Sequence, residues 1–126
     1  MSSILRMDHV TINLCQTNSP IVSDISFSIR TGESLILLGQ SGSGKTMTCS
    51  AILNLFDPKK FQITGSIQLD NINLLNLTNK QKCSIYGNQI AYIPQNPMTA
   101  LDPAMRIGKQ MDETLRLHSN KSRHER

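Results

Sequence analysis

The chain has 126 residues, room for one small domain and a modest core but little for accessory domains. Hydrophobic residues make up 38% and charged residues 17%, a balance that sets the chain apart from disordered, collagen-like and membrane-embedded classes. The net charge of +4 would admit nucleic acid, but the Lys and Arg residues are scattered and aromatic residues for base stacking amount to only 4%, so no nucleic-acid partner is expected.

Val10, Ile12 and Leu14 alternate with polar residues, as do Ile25, Phe27 and Ile29, which is the period of half-buried strands with one wet face. Asn18, Ser19 and Pro20 supply the turn of an antiparallel pair, and Thr31, Gly32 and Glu33 close the second strand. Leu35, Ile36, Leu37 and Leu38 then run without a polar break, as expected of a strand buried on both faces of a parallel sheet. That run leads straight into Gly39.

After a glycine-rich loop, Met47, Ala51 and Leu55, flanked by Ile52 and Phe56, recur at helical spacing until Asp57 and Pro58 stop the run. Ile67 and Leu69 mark another two-faced strand after Gly65. Thr78 and Gln81 have the spacing of a capping box, opening a short helix that Gly87 would end. Residues 90–93 read as a second buried strand that delivers Pro94 and Gln95 at its end. A last helix begins at Ile107, with Met111 and Leu115 on one face.

Several features bear no special chemistry. Cys15, Cys49 and Cys83 are odd in number and widely spaced, fitting neither a metal motif nor a disulfide framework, and are expected to be reduced and structural. The basic end, residues 118–126, reads as a solvated, fraying helix tail that includes His118 and His124. No apolar run approaches the roughly 20 residues needed to cross a bilayer, and no signal-peptide block opens the chain, so a cytoplasmic protein is expected.

Chemistry concentrates in residues 39–46, GQSGSGKT, which match G-x-x-x-x-G-K-[ST] at every fixed position. Such a match arises by chance about once in a few hundred chains of this length, and here a buried-strand pattern precedes it and an amphipathic helix follows it. Glycines admit dihedrals closed to other residues and let the main chain approach phosphates closely. The loop amides form an anion nest at the positive end of a helix starting near Lys45, so unpaired N–H groups and helix dipole act on the same charge. Gly39, Gln40, Ser41, Gly42, Ser43, Gly44, Lys45, Thr46 and Met47 are therefore the expected nucleotide-binding residues, with ATP as ligand. Lys45 should reach the β- and γ-phosphates, and the Thr46 hydroxyl should ligate Mg²⁺. The bland alternative is a glycine turn that happens to precede a lysine.

The order of these segments resembles the nucleotide-binding subunits of ABC transporters. Residues 25–29 with Gly32 and Glu33 before the P-loop, residues 65–70 after it, and residues 90–95 later fall in the family's order and approximate spacing. Residues 95–103, QNPMTALDP, are similar to the Q-loop of the peptide and nickel importer branch. The resemblance implies the N-terminal part of an α/β P-loop NTPase core with an antiparallel β-subdomain over residues 1–106, and the start of a helical subdomain over residues 107–126. It implies that Gln95 is a catalytic-site glutamine that touches Mg²⁺ and the attacking water, a role that suits an uncharged amide.

The implied function is ATP binding and hydrolysis coupled to uptake of a small solute, nickel or another metal chelate or short peptides. The implied setting is peripheral, on the cytoplasmic face of the membrane. The implied partners are a second ATP-binding subunit forming an ATP sandwich, transmembrane permease subunits and, indirectly, an external solute-binding protein.

The sequence departs from the family in two places. Leu14 stands where the family stacks adenine on an aromatic ring, which leaves the ATP-over-GTP preference open. An LSGGQ-like signature, an apolar run ending in Asp-Glu and a switch histidine are all missing from the 126 residues. These residues are therefore expected to be the N-terminal half of a longer subunit, marginally stable, aggregation-prone and inactive alone. The alternatives are a nucleotide-binding regulator without turnover, or another P-loop class such as a small kinase; a GTPase would require an N-K-x-D, which is missing.

Overall fold

In the computed structural model, which describes residues 3–122 and 124–125, the antiparallel strands form as their alternation requires. β1 (Ser3–Leu14) pairs antiparallel with β2 (Pro20–Arg30) on one edge and with β3 (Phe61–Leu69) on the other, and the short β4 (Ile72–Asn73) completes the order β2-β1-β3-β4. The registers Ile12↔Val22 and Met7↔Ile67 bring the apolar residues of three strands to one face. Met7, Val10, Ile12, Val22, Ile67 and Leu69 are buried there, while Arg6, Gln62 and Thr64 face water. β3 is longer than the pattern around Ile67 suggested, because Phe61 and Ile63 pair with Leu14 and Ile12 before Gly65 is reached.

The chain divides into two compact units, Met1–Leu77 and Thr78–Arg126. The first unit also holds α1 (Lys45–Ile52), whose Thr48 and Ala51 are buried. A 3₁₀ turn at Leu74–Asn76 adds the buried Leu74. The sequence pattern extended the α1 helix to Phe56, but it stops at Ile52. Asn54 adopts φ 51, and the Asn54 and Leu55 amides donate back to Ala51 and Ser50, a Schellman closure that uses Asn as the left-handed residue. The Asn54 Nδ2 then donates to the Leu74 carbonyl at 3.0 Å, holding the cap in place.

Two expected strands are not formed. Residues 35–38 have no ladder partner, and Ile36 and Leu38 are 77% and 88% exposed. Residues 90–93 make only one isolated bridge, Ile90 to Tyr86, and Ile93 is 92% exposed. A parallel strand lives on hydrogen bonds to neighbours at its edges and on cover for both faces, and no such neighbour lies beside either run among the described residues.

The second unit contains α2 (Asn79–Ile85), α3 (Pro97–Ala100) and α4 (Ile107–His118). The capping box is made as the spacing predicts: Thr78 Oγ1 accepts from the Gln81 amide, and Gln81 Oε1 accepts from the Thr78 amide at 2.9 Å. Gly87 follows with φ 87. Ile85 is buried in this unit, and partial burial pushes the Tyr86 phenol above its ordinary pKa.

Two residue expectations change. His118 closes α4 half-buried, its ring 2.6 Å from where a Gly87 Cβ would stand, because the glycine leaves room for it; His124 is exposed as expected. The cysteines are free, but all three are exposed, since each sits on a strand end or helix face turned to water. Arg123 and Arg126 of the basic tail lie outside the described residues.

Candidate functional site

β2 ends at Arg30, whose amide donates to Glu33 Oε2 at 2.8 Å across the turn at Gly32, and the chain then runs through residues 35–38 into the glycine loop. Gly42 and Gly44 take left-handed conformations, φ 82 and φ 89, which a side chain would resist. Gly44 is the N-cap of α1 and has no side chain to offer, so the first amides of the helix keep no side-chain partner. Those amides and the helix dipole point at the loop, an arrangement that favours an anion.

The loop has little space to spare. A Cβ on Gly44 would stand 2.7 Å from Val22 Cγ2 and 3.3 Å from the Ile21 carbonyl, so β2 forms the floor on which α1 begins. A Cβ on Gly39 would meet Ser43 Oγ at 2.6 Å. Thr48, one turn on, anchors the cap: its amide and its hydroxyl both donate to the Gly44 carbonyl, at 2.8 and 2.9 Å.

Lys45 folds back over the loop that precedes it. Its Nζ donates to the carbonyls of Gly39 and Gln40 at 2.7 Å each, and to Ser43 Oγ at 3.3 Å. Three donors thus meet three acceptors at one edge of the loop, and the ammonium is held beside the exposed amides rather than dispersed in solvent. Gln40, Ser41, Gly42 and Thr46 are exposed, and Met47 is half-buried on the first turn of α1.

Gln95 belongs to the second unit and is exposed after the half-buried Pro94. Asn96 caps the next helix, its Oδ1 accepting from the Met98 amide at 3.1 Å, and Thr99 Oγ1 donates to the Asn96 carbonyl. The P-loop residues are thus gathered within the first unit, and Gln95 is described with the second. Among the described residues no cluster of three His, Cys, Asp or Glu could hold a metal, and no helix is long and apolar enough to cross a membrane.

Sequence reading passed over two residues that shape the loop. Val22 lies outside the alternation at Ile25, Phe27 and Ile29, and only the β2-to-loop packing gives it a role. Thr48 carried a signal in its spacing, four residues beyond Gly44, but a mid-helix threonine has many uses.

A G-x-x-x-x-G-K-[ST] loop entered from an apolar run, two left-handed glycines, a lysine folded over the loop and a helix opening at its end define the class of P-loop nucleotide-binding proteins. Comparison with known proteins narrows this: the family model for the ABC transporter matches residues 22–125, and the chain belongs to that family. It is 38% identical over 123 residues to the metal-staphylopine import system ATP-binding protein of Staphylococcus aureus, covering 98% of this chain and 45% of that protein. It is 44% identical over 97 residues to an oligopeptide transport ATP-binding protein of Lactococcus lactis, covering 77% of this chain and 29% of the relative. Against an oligopeptide transport ATP-binding protein of Bacillus subtilis it is 36% identical over 128 residues, 99% of this chain and 39% of the relative. The chain therefore spans less than half the length of these curated relatives and corresponds to part of an ABC nucleotide-binding domain, its N-terminal portion with the antiparallel sheet.

Proposed function

We propose that this sequence is the P-loop portion of an importer's ATP-binding subunit, which couples ATP binding and hydrolysis to uptake of a small solute. The observation that carries the reading is the Lys45 amine held across the loop beside the uncapped N-terminus of α1. Residues 39–47 receive the triphosphate: loop amides and the α1 terminus take phosphate oxygens, and Lys45 exchanges its carbonyl partners for the β- and γ-phosphates. The Thr46 hydroxyl and the Gln95 amide oxygen are the neutral ligands proposed for Mg²⁺. That sparse donor set suits a cation that keeps several waters and takes most of its charge compensation from substrate phosphates. Bound Mg²⁺ would neutralise the charge that phosphoryl transfer develops.

The relatives named for metal-staphylopine and for oligopeptides favour a metal chelate or a short peptide as solute. The partners proposed are a second ATP-binding subunit and membrane permeases, with the protein held peripherally at the cytoplasmic face. The exposure of Ile36, Leu38 and Ile93 supports a second statement, that the 126 residues alone do not turn ATP over, since the run leading into the P-loop has no strand beside it to hold the loop in place.

The test is titration of the complete subunit with a labelled ATP analogue and Mg²⁺. Saturable binding should weaken about 10- to 100-fold in Lys45→Ala, the loss of one charge-assisted hydrogen-bond donor to phosphate. Absence of saturable binding in the wild type would remove the assignment.

A further inference from the structure

The turn between α3 and α4 is organised by one side chain. Gln110, half-buried in the second turn of α4, accepts at Oε1 from the Asp102 amide at 3.1 Å. Its Nε2 donates to the Asp102 carbonyl at 3.0 Å and to the Met105 carbonyl at 2.8 Å. Gln110 therefore pairs with Asp102 as a residue on a neighbouring strand would, giving and taking one hydrogen bond, and spends its second proton on the far side of the turn. Asp102 tightens the same turn: its Oδ1 accepts from the Ala104 amide at 2.8 Å and its carbonyl from the Met105 amide at 3.2 Å. Pro103 has no amide proton to compete for acceptors in the turn.

No other side chain repeats this set. Glu has the shape but presents oxygens where Asp102 and Met105 need donors, Asn falls one methylene short, and Leu has neither donor nor acceptor.

The turn joins the segment after Gln95 to the longest helix of its unit. α3 has four residues, too few to hold a helix by itself, so its shape depends on what ties it down at each end. Asn96 ties the start, directly after Gln95, and the Gln110 clamp ties the end. We propose that Gln110 is a positioning residue of the transport cycle: it makes residues 96–106 and α4 one stiff piece, so that a shift imposed on α4 by a membrane partner arrives at Gln95 instead of dissipating in the turn. This rests on the importer reading above, and Gln110 itself touches no nucleotide.

The experiment uses the complete subunit assembled with its permease in lipid nanodiscs, as wild type, Gln110→Leu and Gln110→Glu. Three quantities are read: affinity for a labelled ATP analogue with Mg²⁺, hydrogen exchange at the Asp102 amide, and stimulation of ATP hydrolysis by the permease. Affinity is expected to stay within about twofold in both variants, because the P-loop is untouched. Asp102 exchange should accelerate at least about tenfold in Gln110→Leu, which removes the acceptor of that amide, and in Gln110→Glu as the carboxylate, repelled by the Asp102 and Met105 carbonyls that the amide nitrogen had bonded, leaves the turn. Permease stimulation should fall by about 5- to 100-fold, the range of a lost coupling between sites.

Faster Asp102 exchange with undiminished stimulation overturns the proposal, and so does exchange unchanged in both variants. If Gln110→Leu does not fold, Gln110→Glu decides by the same readings. A wild type that binds no ATP sinks the importer reading and takes the coupling role with it. A wild type that binds ATP normally, with variants indistinguishable from it, sinks this proposal alone.

Discussion

β1, β2 and β3 and the apolar runs at residues 35–38 and 90–93 draw on the same aliphatic residues, yet the first three make a sheet and the last two make none. The sheet strands alternate, so each needs cover on one face, and the burial of Met7, Ile12, Ile67 and Leu69 supplies it while water satisfies the other. β2 reaches β1 through a short turn, while β3 returns onto the other edge of β1 from beyond the P-loop and α1. The uninterrupted runs need cover on both faces and a ladder along each edge, and among the described residues they have only the isolated Ile90–Tyr86 bridge. A continuous apolar pattern thus states a demand, whereas an alternating one in a hairpin largely meets its own.

The sharpest way to break this comparison is hydrogen exchange measured on the 126 residues and on the complete subunit. In the shorter chain the amides of Ile36, Leu37, Leu38, Tyr92 and Ile93 should exchange at nearly free rates. In the complete subunit they should slow by at least about a thousandfold, as amides of core strands do, while the amides of β1 and β3 change far less. Protection already present in the shorter chain would show that the runs satisfy themselves, and the distinction would collapse.

Substitution sharpens it next. Ile67→Ala or Ile12→Ala empties a fully buried site and should cost about 2–5 kcal/mol in denaturant melts of the 126 residues. Ile36→Ala or Ile93→Ala, at residues already in water, should stay within about 0.5 kcal/mol in the same chain. Equal losses at both kinds of position would mean that the apolar runs are packed after all.

These contrasts also explain what was legible beforehand. The antiparallel pair, the P-loop, the helix after it and the Thr78–Gln81 cap could be read from local spacing, because each is closed by residues within a few positions of one another. The end of α1 at Ile52 could not be placed, since the Asn54 closure that follows it is held by a hydrogen bond to Leu74, 20 residues further on. Val22 was silent for a similar reason: its importance lies in a contact with Gly44 made only when β2 and α1 meet. Gln110 was silent too, because a polar residue on a helix surface has no signature until the turn it clamps exists. The runs at residues 35–38 and 90–93 are apolar throughout, but whether such a run becomes a strand is settled by its neighbours and not by its own residues.

The smallest expected effect probes the register slip between β1 and β3. Between Asp8 and Thr11 the β1–β3 register slips, and Gly65 sits opposite the slip with φ 92 while His9 takes φ 48. A Cβ at Gly65 would press on the carbonyl oxygen of His9 and stand 2.6 Å from that of Asp8, both backbone atoms that cannot swing aside. Gly32 also has a positive φ, 78, but open space around it. Gly32→Ala should therefore show the backbone penalty alone, about 1 kcal/mol, while Gly65→Ala should add a steric cost and reach about 2 kcal/mol or more in the same melts. Equal values would mean that the bulge relaxes freely, and that the register of β1 on β3 is held by burial of Met7 and Ile12 on either side of it and not by the glycine between them.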